Sequence, residues 1–305
     1  MPNYRFYQID VFTDRPLGGN PLAVFPEPEG LTVEQMQALA REMNLSETTF
    51  VLPSDVATRR IRFFTPIDEI PLAGHPTVGT WWILAELGVL GLPGDGTHQV
   101  TQETDAGVLP VYIELAGGRP VRVTMVQATP EFGVRAADTA RLASALGGGP
   151  DLIPSEPVPQ VVSTALPQLM IPIVSLEALE ALPSGGSGLE LTSLLRELKT
   201  ECAMLYATET RSPQATVHCR MFAPGLGVTE DPATGSAAGA LGAYLVQHGV
   251  IDLEDGRAHF VVEQGMEIDR PSYINVEVAA DPSGRATEVR VGGEAVTIIE
   301  GEVRL

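Results

Sequence analysis

Lysine is almost missing from this chain of 305 residues: Lys199 stands alone, inside the charged segment L-L-R-E-L-K-T-E that reads as helix. In that setting it is no candidate for Schiff-base chemistry. Arginine takes its place nearly everywhere else, a pattern that genomic base composition explains. Cysteine is equally scarce. Cys202 and Cys219 form no C-x-x-C pair and no disulfide framework, which points to a reducing, cytoplasmic setting. Basic charge is low too: 19 Lys and Arg against 39 Asp and Glu leave a net charge of −20 and a pI near 4.5. That balance argues against nucleic acid or an anionic membrane as partner. No apolar run approaches the roughly 20 residues of a membrane span, and Glu86 interrupts the best candidate. The opening M-P-N-Y-R-F-Y-Q-I-D lacks a basic stretch followed by a long apolar one, so no signal peptide is expected. P-loop, G-x-G-x-x-G, G-x-S-x-G and H-E-x-x-H signatures are all missing. The five histidines, His75, His98, His218, His248 and His259, show no metal-ligand spacing, and no metal is expected.

What is present is a stretch the rest can be read against, Glu230–Ile251: E-D-P-A-T-G-S-A-A-G-A-L-G-A-Y-L-V-Q-H-G-V-I. Small and apolar residues run from Ala237 to Val246 and Gly249 marks a C-terminal stop. A helix apolar all round is buried. Its glycine-serine start leaves backbone N–H groups and the positive dipole end for an anion. Alone, the stretch reads equally as a core helix whose small residues permit close packing. It has a twin, however. Ala73-Gly74-His75-Pro76 stands in the place of Thr234-Gly235-Ser236-Ala237, the apolar run T-V-G-T-W-W-I-L-A-E-L follows, and Gly88-Val89-Leu90 ends it as Gly249-Val250-Ile251 ends the other. The pairing implies a duplicated fold with one central helix per half.

Strands are expected at Tyr4–Phe12, Leu22–Phe25, Thr48–Leu52, Arg59–Phe64, His98–Thr104, Val108–Leu115 and Val121–Met125, with a helix capped by Thr32 and running to Met43. Further on, strands at 158–163, 168–172, 202–207, 216–222, 259–263, 273–279, 287–291 and 295–304 alternate with short helices near 138–146, 176–182 and 191–198. Many antiparallel-type strands with few helices make an α+β protein, not a doubly wound parallel sheet. The halves are placed at residues 1–117, completed by the C-terminal strand 293–305, and at 118–292.

Candidate chemistry falls on three side chains at junctions. Glu47 lies where a polar turn enters an apolar strand; it is either a functional acid or a solvated residue at a strand edge. His75 opens a buried helix, where the dipole disfavours an imidazolium; it is a catalyst or a structural hydrogen bonder. Asp231 precedes a proline and could act on a ligand or order a loop.

Three segments in this order, N-L-S-E-T-T-F-V at 44–51, P-L-A-G-H-P-T-V-G-T at 71–80 and F-A-P-G-L-G-V-T-E-D-P-A-T-G-S-A-A-G at 222–239, closely resemble the PhzF family of phenazine-biosynthesis-like isomerases. The opening Q-I-D-V-F-T…G-N-P-L-A-V-F resembles it as well, so the likeness spans the chain. The resemblance implies a diaminopimelate-epimerase-like fold, two pseudo-symmetric α+β halves each wrapping a sheet around a central helix, with the active site in a cleft between them. It implies a cofactor-independent isomerase of a small cyclic or unsaturated carboxylic acid, like the trans-2,3-dihydro-3-hydroxyanthranilate of the founding member, with one glutamate shuttling the proton. Glu47 matches that glutamate, with His75 and Asp231 as its catalytic companions. Ser46, Gly74, Gly235 and Ser236 match the substrate-binding positions. A homodimer is implied too. Epimerases of this fold use two facing thiols, but Ala73 and Thr234 occupy the matching places here, which sets two-thiol racemisation aside. A racemase using carboxylate and histidine, or a non-catalytic small-acid-binding protein, are the competing classes. Substrate choice would rest with loops such as 14–21 and 223–229.

Overall fold

The structure is a computed structural model that describes residues 2–305. It divides into two compact units, the first running to Val126 and taking in Gly292–Leu305, the second formed by Gln127–Val291. The chain leaves the first unit later than residue 117, because the strand Arg119–Val126 ladders antiparallel onto Gly107–Ala116 and stays with it. Each unit is a mixed α+β structure rich in strands. The described residues form six α-helices: α1 Val33–Met43, α2 Gly74–Glu86, α3 Thr139–Ala145, α4 Leu176–Glu180, α5 Leu189–Glu197 and α6 Gly235–Gln247.

In the first unit, the strand Ala295–Arg304 pairs antiparallel with Asn3–Val11, which pairs with Asn20–Phe25. Asn20–Phe25 lies parallel to Glu47–Leu52, and that strand runs antiparallel to Arg59–Phe64. Arg59–Phe64 is then parallel to Gly96–Thr104, followed by Gly107–Ala116. These strands curl around α2, which has no polar face to show to water: every residue from His75 to Leu84 is buried. By contrast α1 is amphipathic. Thr32 and Gln35 close a capping box at its start, and Met36, Leu39 and Ala40 press on the stacked rings of Phe25 and Phe50 and the edge-on ring of Phe64. The first strand stops one residue earlier than the sequence suggests. Phe12 takes a positive φ of 67°, which no strand accommodates.

The second unit repeats the plan. Glu131–Arg135, a strand the sequence pattern does not announce, pairs with Gln160–Ser163. The ladder continues through Pro167–Pro172, Ala203–Ala207, Val217–Ala223, Arg257–Gln264 and Ser272–Ala280. Helix α6 is enclosed in turn, with Ala237 to Val246 buried throughout. Gly249 follows at φ 64°, where its N–H and that of Val250 cap the last carbonyls. Helices α3, α4 and α5 cover the outer face through Leu142, Leu179, Leu191 and Leu195.

Glycine spacing sets how tightly the sheet can close. A Cβ on Gly79 of α2 would stand 2.7 Å from both Leu22 Cδ2 and Val11 Cγ2. Both neighbours are fully buried, so Gly79→Ala should lower stability by about 1–2 kcal/mol despite alanine's better helix propensity. Chemical unfolding of the two proteins measures it. An unchanged or raised midpoint would show that the sheet yields at this point.

Candidate active site

In the first unit the site grows from the end of α1. Asn44 adopts the left-handed conformation, φ 51°, and turns the chain through Leu45 and exposed Ser46 into the strand Glu47–Leu52. Side chains alternate along a strand, so Glu47 and Thr49 share a face. That face looks at α2: Thr49 Oγ1 lies 2.7 Å from Thr80 Oγ1. Glu47 accordingly reaches the helix's first turn, where its Oε2 is 3.4 Å from His75 Nε2.

The contact is not an ion pair at neutral pH. Burial drives the His75 pKa down to about 3, against a weaker opposing push from a hydrogen bond to the Pro21 carbonyl. Nε2 has no hydrogen-bond partner, so Nδ1 is the nitrogen that donates to Pro21. The lone pair of Nε2 then faces the carboxyl group. His75 is 6% exposed and the Glu47 side chain 18%, so the pair lies at the edge of the interior, within reach of a ligand. Gly74 precedes it half-buried, and Ala73 provides no side-chain cap for α2.

In the second unit the strand Val217–Ala223 passes through a 3₁₀ turn, Pro224–Leu226, into the short strand Val228–Asp231. Arg220 clamps that strand. Its Nε and Nη2 bond the two Glu230 oxygens at 2.9 and 2.7 Å, Nη2 also bonds Ser184, and Nη1 donates to the carbonyls of Leu179 and Leu182. Beyond Glu230, the Thr234 hydroxyl donates to Asp231 Oδ2. Buried Gln264 donates through Nε2 to the Asp231 carbonyl, 2.7 Å, and to Thr234 Oγ1, 3.1 Å, and accepts from the Thr234 N–H. Helix α6 starts without a side-chain cap, whereas Thr32, Asp138 and Ser175 cap α1, α3 and α4. Its first turn is propped by Gln127, which donates to the Gly235 carbonyl at 2.9 Å, and by Gln168, which donates to Ser236 Oγ at 3.1 Å.

Sequence reasoning picked out Glu47, His75, Gly74 and Ser46, which the first unit gathers where α2 begins, and Asp231, Gly235 and Ser236, which the second unit gathers where α6 begins. It missed the glutamines. Gln127, Gln168 and Gln264 stand on three separate segments, and no spacing links them to the helix starts. It also missed His218. That ring is fully buried between Glu263, 2.7 Å from Nδ1, and Glu267, 2.9 Å from Nε2. Burial would lower its pKa, but the two carboxylates outweigh it and raise it to about 9. Both cysteines are fully buried; burial pushes the Cys202 thiol up to about 12 and Cys219 upward as well, so neither offers a thiolate. No cluster of metal-ligating side chains occurs among the described residues, and no helix there is long and apolar enough to cross a membrane.

Comparison with known proteins bears on this arrangement. The profile of the PhzC-PhzF family, phenazine biosynthesis-like protein, matches residues 9–301. The chain is 36% identical to a trans-2,3-dihydro-3-hydroxyanthranilate isomerase of Pseudomonas chlororaphis, covering 99% of this chain and 100% of that one. The crystal structure of a PhzF-family phenazine biosynthesis protein from Bacillus anthracis superposes with a TM-score of 0.90 at 31% identity over the full length of both chains. A hydroxyproline epimerase of Agrobacterium vitis shares the fold alone, with a TM-score of 0.65 at 14% identity over 99% of this chain and 92% of that one.

The two buried histidines should respond to pH in opposite senses. His75, held to a pKa near 3, should keep neutral imidazole chemical shifts at about pH 5, where an ordinary histidine is mostly protonated. A protonated ring there would contradict the geometry. His218 has its pKa raised in the folded state. Its stabilisation is therefore complete below the unfolded value of about 6.5 and is lost as pH climbs to about 9, at up to ~1.4 kcal/mol per unit. Urea unfolding across that window should show the decline in the wild type and a flatter profile in His218→Gln.

Proposed function

The chain belongs to the PhzC-PhzF family and is an isomerase of that type, and on that premise we propose that Glu47 carries the proton in isomerising a small unsaturated cyclic carboxylic acid, of the trans-2,3-dihydro-3-hydroxyanthranilate class. The observation that carries this reading is a neutral His75 turning the Nε2 lone pair toward Glu47 at 3.4 Å. A cationic histidine there would hold the carboxylate in an ion pair and blunt it as a base. A neutral one forms no such ion pair, and Nε2 can accept a hydrogen bond from the carboxylic acid once Glu47 has taken a proton.

In the reaction Glu47 removes a proton from a saturated ring carbon. The electron pair of that C–H bond moves into the ring and shifts the double bond. The same proton is returned to another carbon on the same face, so substrate and product are isomers and nothing else is consumed. The backbone N–H groups of Gly74 and His75 in the first turn of α2, with Ser46 beside the strand, stabilise negative charge as it develops. In the second unit, the start of α6 at Gly235 and Ser236, which no side chain caps, suits an anion such as a carboxylate. A racemase using a carboxylate and a histidine would draw on the same Glu47–His75 pair and is told apart by its product.

Incubating the protein with this acid in D₂O and following the product by NMR tests the reading. A moved double bond is expected. Loss of optical rotation with the double bond in place would indicate racemisation instead, and no reaction with this or related acids would remove the reading. Glu47→Gln should lower turnover by about 10²–10⁴-fold while leaving folding intact, the usual contribution of one acid–base group. Full activity in that variant would take Glu47 out of the mechanism.

A further inference from the structure

We propose that a cavity in the first unit, at the far end of α2 from His75, binds an amino acid with an apolar side chain, taking its carboxylate on Arg59 and its ammonium on Glu27 or Glu29.

The cavity follows from the way the strands face. Ile9 and Val11 of Asn3–Val11, and Thr49 of Glu47–Leu52, lie against α2. Alternate positions share a face, so Arg5, Tyr7 and Val51 look inward as well. Ile61 stands opposite Val51, which puts Arg59, two residues before it, on the same side. The helix gives out where these side chains gather. Leu84 lies nine residues beyond His75, about 14 Å along the axis. Around Leu84 and the segment after α2 opens a cavity of about 450 Å³, within the range of small-molecule sites, roughly 300–1,000 Å³. Its apolar lining is made by buried Val51 and Leu84 with exposed Leu87 and Val89.

The charges around this lining are unmatched. Arg59 is half-buried, and its guanidinium meets only carbonyl oxygens: Nη1 donates to Thr58 at 2.8 Å and Nη2 to Val89 at 3.5 Å. Nε and one N–H on each Nη are left over. Glu27 and Glu29 line the same cavity, and neither makes an ion pair or a hydrogen bond among the described residues. Arg5, by contrast, is already matched. Its Nε lies 3.6 Å from Glu300 Oε1, which also accepts from the Tyr7 hydroxyl at 3.3 Å. An arginine that only plugged the mouth of the sheet would fold onto one of the carboxylates beside it. Opposite charges held apart over an apolar lining instead suit a ligand that carries both. A carboxylate makes charge-assisted bonds to Arg59, an ammonium makes them to Glu27 or Glu29, and the apolar side chain lies on Val51 and Leu87.

Titration of methyl-labelled protein with L-phenylalanine and with L-leucine, followed by NMR, tests this without any turnover. Saturable shifts are expected at the methyl groups of Val51, Leu84, Leu87 and Val89. For L-phenylalanine the analogues 3-phenylpropionate and 2-phenylethylamine, each lacking one charge, should bind about 10-fold more weakly or worse, the loss of a hydrogen bond to a charged group. Arg59→Gln should weaken L-phenylalanine by a similar factor. Val89→Trp, at an exposed position and with its carbonyl still available to Arg59, should block binding by filling the cavity. No saturable shift with either amino acid overturns the proposal, and so does equal binding of the one-charge analogues. Binding that survives Val89→Trp unchanged, or shifts confined to Thr49 and to Leu22 beside Glu47, would place the ligand elsewhere and overturn it as well.

Discussion

Two helices with no polar side set the terms for this protein. A helix apolar on every face cannot lie on a surface, so each unit must curl its strands around one, and both do. Small residues help the enclosure, because Gly79 leaves room for Leu22 and Val11 of the strands beside α2. Enclosure has a second effect at the helix starts. Side chains that would cap α2 and α6 are missing, while three of the surface helices have them. The first turns of α2 and α6 thus receive no hydrogen bond from a capping side chain, and Glu47, His75 and Asp231 stand beside them.

Electrostatics inside the two units follow from partners and not from residue type. His75 and His218 are both buried histidines. One has a carbonyl and a carboxyl contact too long for a good hydrogen bond, and burial wins, holding it neutral. The other is bracketed by two carboxylates at hydrogen-bond distance, and they win. The neutral ring makes no ion pair with its neighbour Glu47, whereas the charged one serves as a brace. Arg220 is a brace of the same kind, with its donors shared among Glu230, Ser184 and two carbonyls.

Much of this was legible in the residues. The apolar runs after Gly74 and Gly235, with their glycine stops, identified both central helices, and the Thr32 cap placed α1. Glu47, His75 and Asp231 stood out because a charge or an imidazole at the mouth of an apolar element needs a reason. Interactions between distant segments were not legible. Gln264 ends an ordinary-looking strand, H-F-V-V-E-Q, and its value comes from meeting Thr234 and Asp231 thirty residues away in the chain. The unit boundary was displaced for a similar reason, since ladder pairing and not composition holds Arg119–Val126 to the first unit. Phe12 ended its strand through a backbone angle that bulky side chains rarely adopt, which no propensity announces.

The strand Ala295–Arg304 lies against Asn3–Val11 from one end to the other. On the ribosome this means that Asn3–Val11 waits for a partner strand made far later in the chain. The second unit, Gln127–Val291, lies between them in the chain as an insert within the first. Until Ala295–Arg304 leaves the exit tunnel, that edge of Asn3–Val11 stands unpaired, with hydrophobic Tyr7, Ile9 and Val11 along it. Nascent chains stalled before residue 295 would present that open edge to chaperones or to one another.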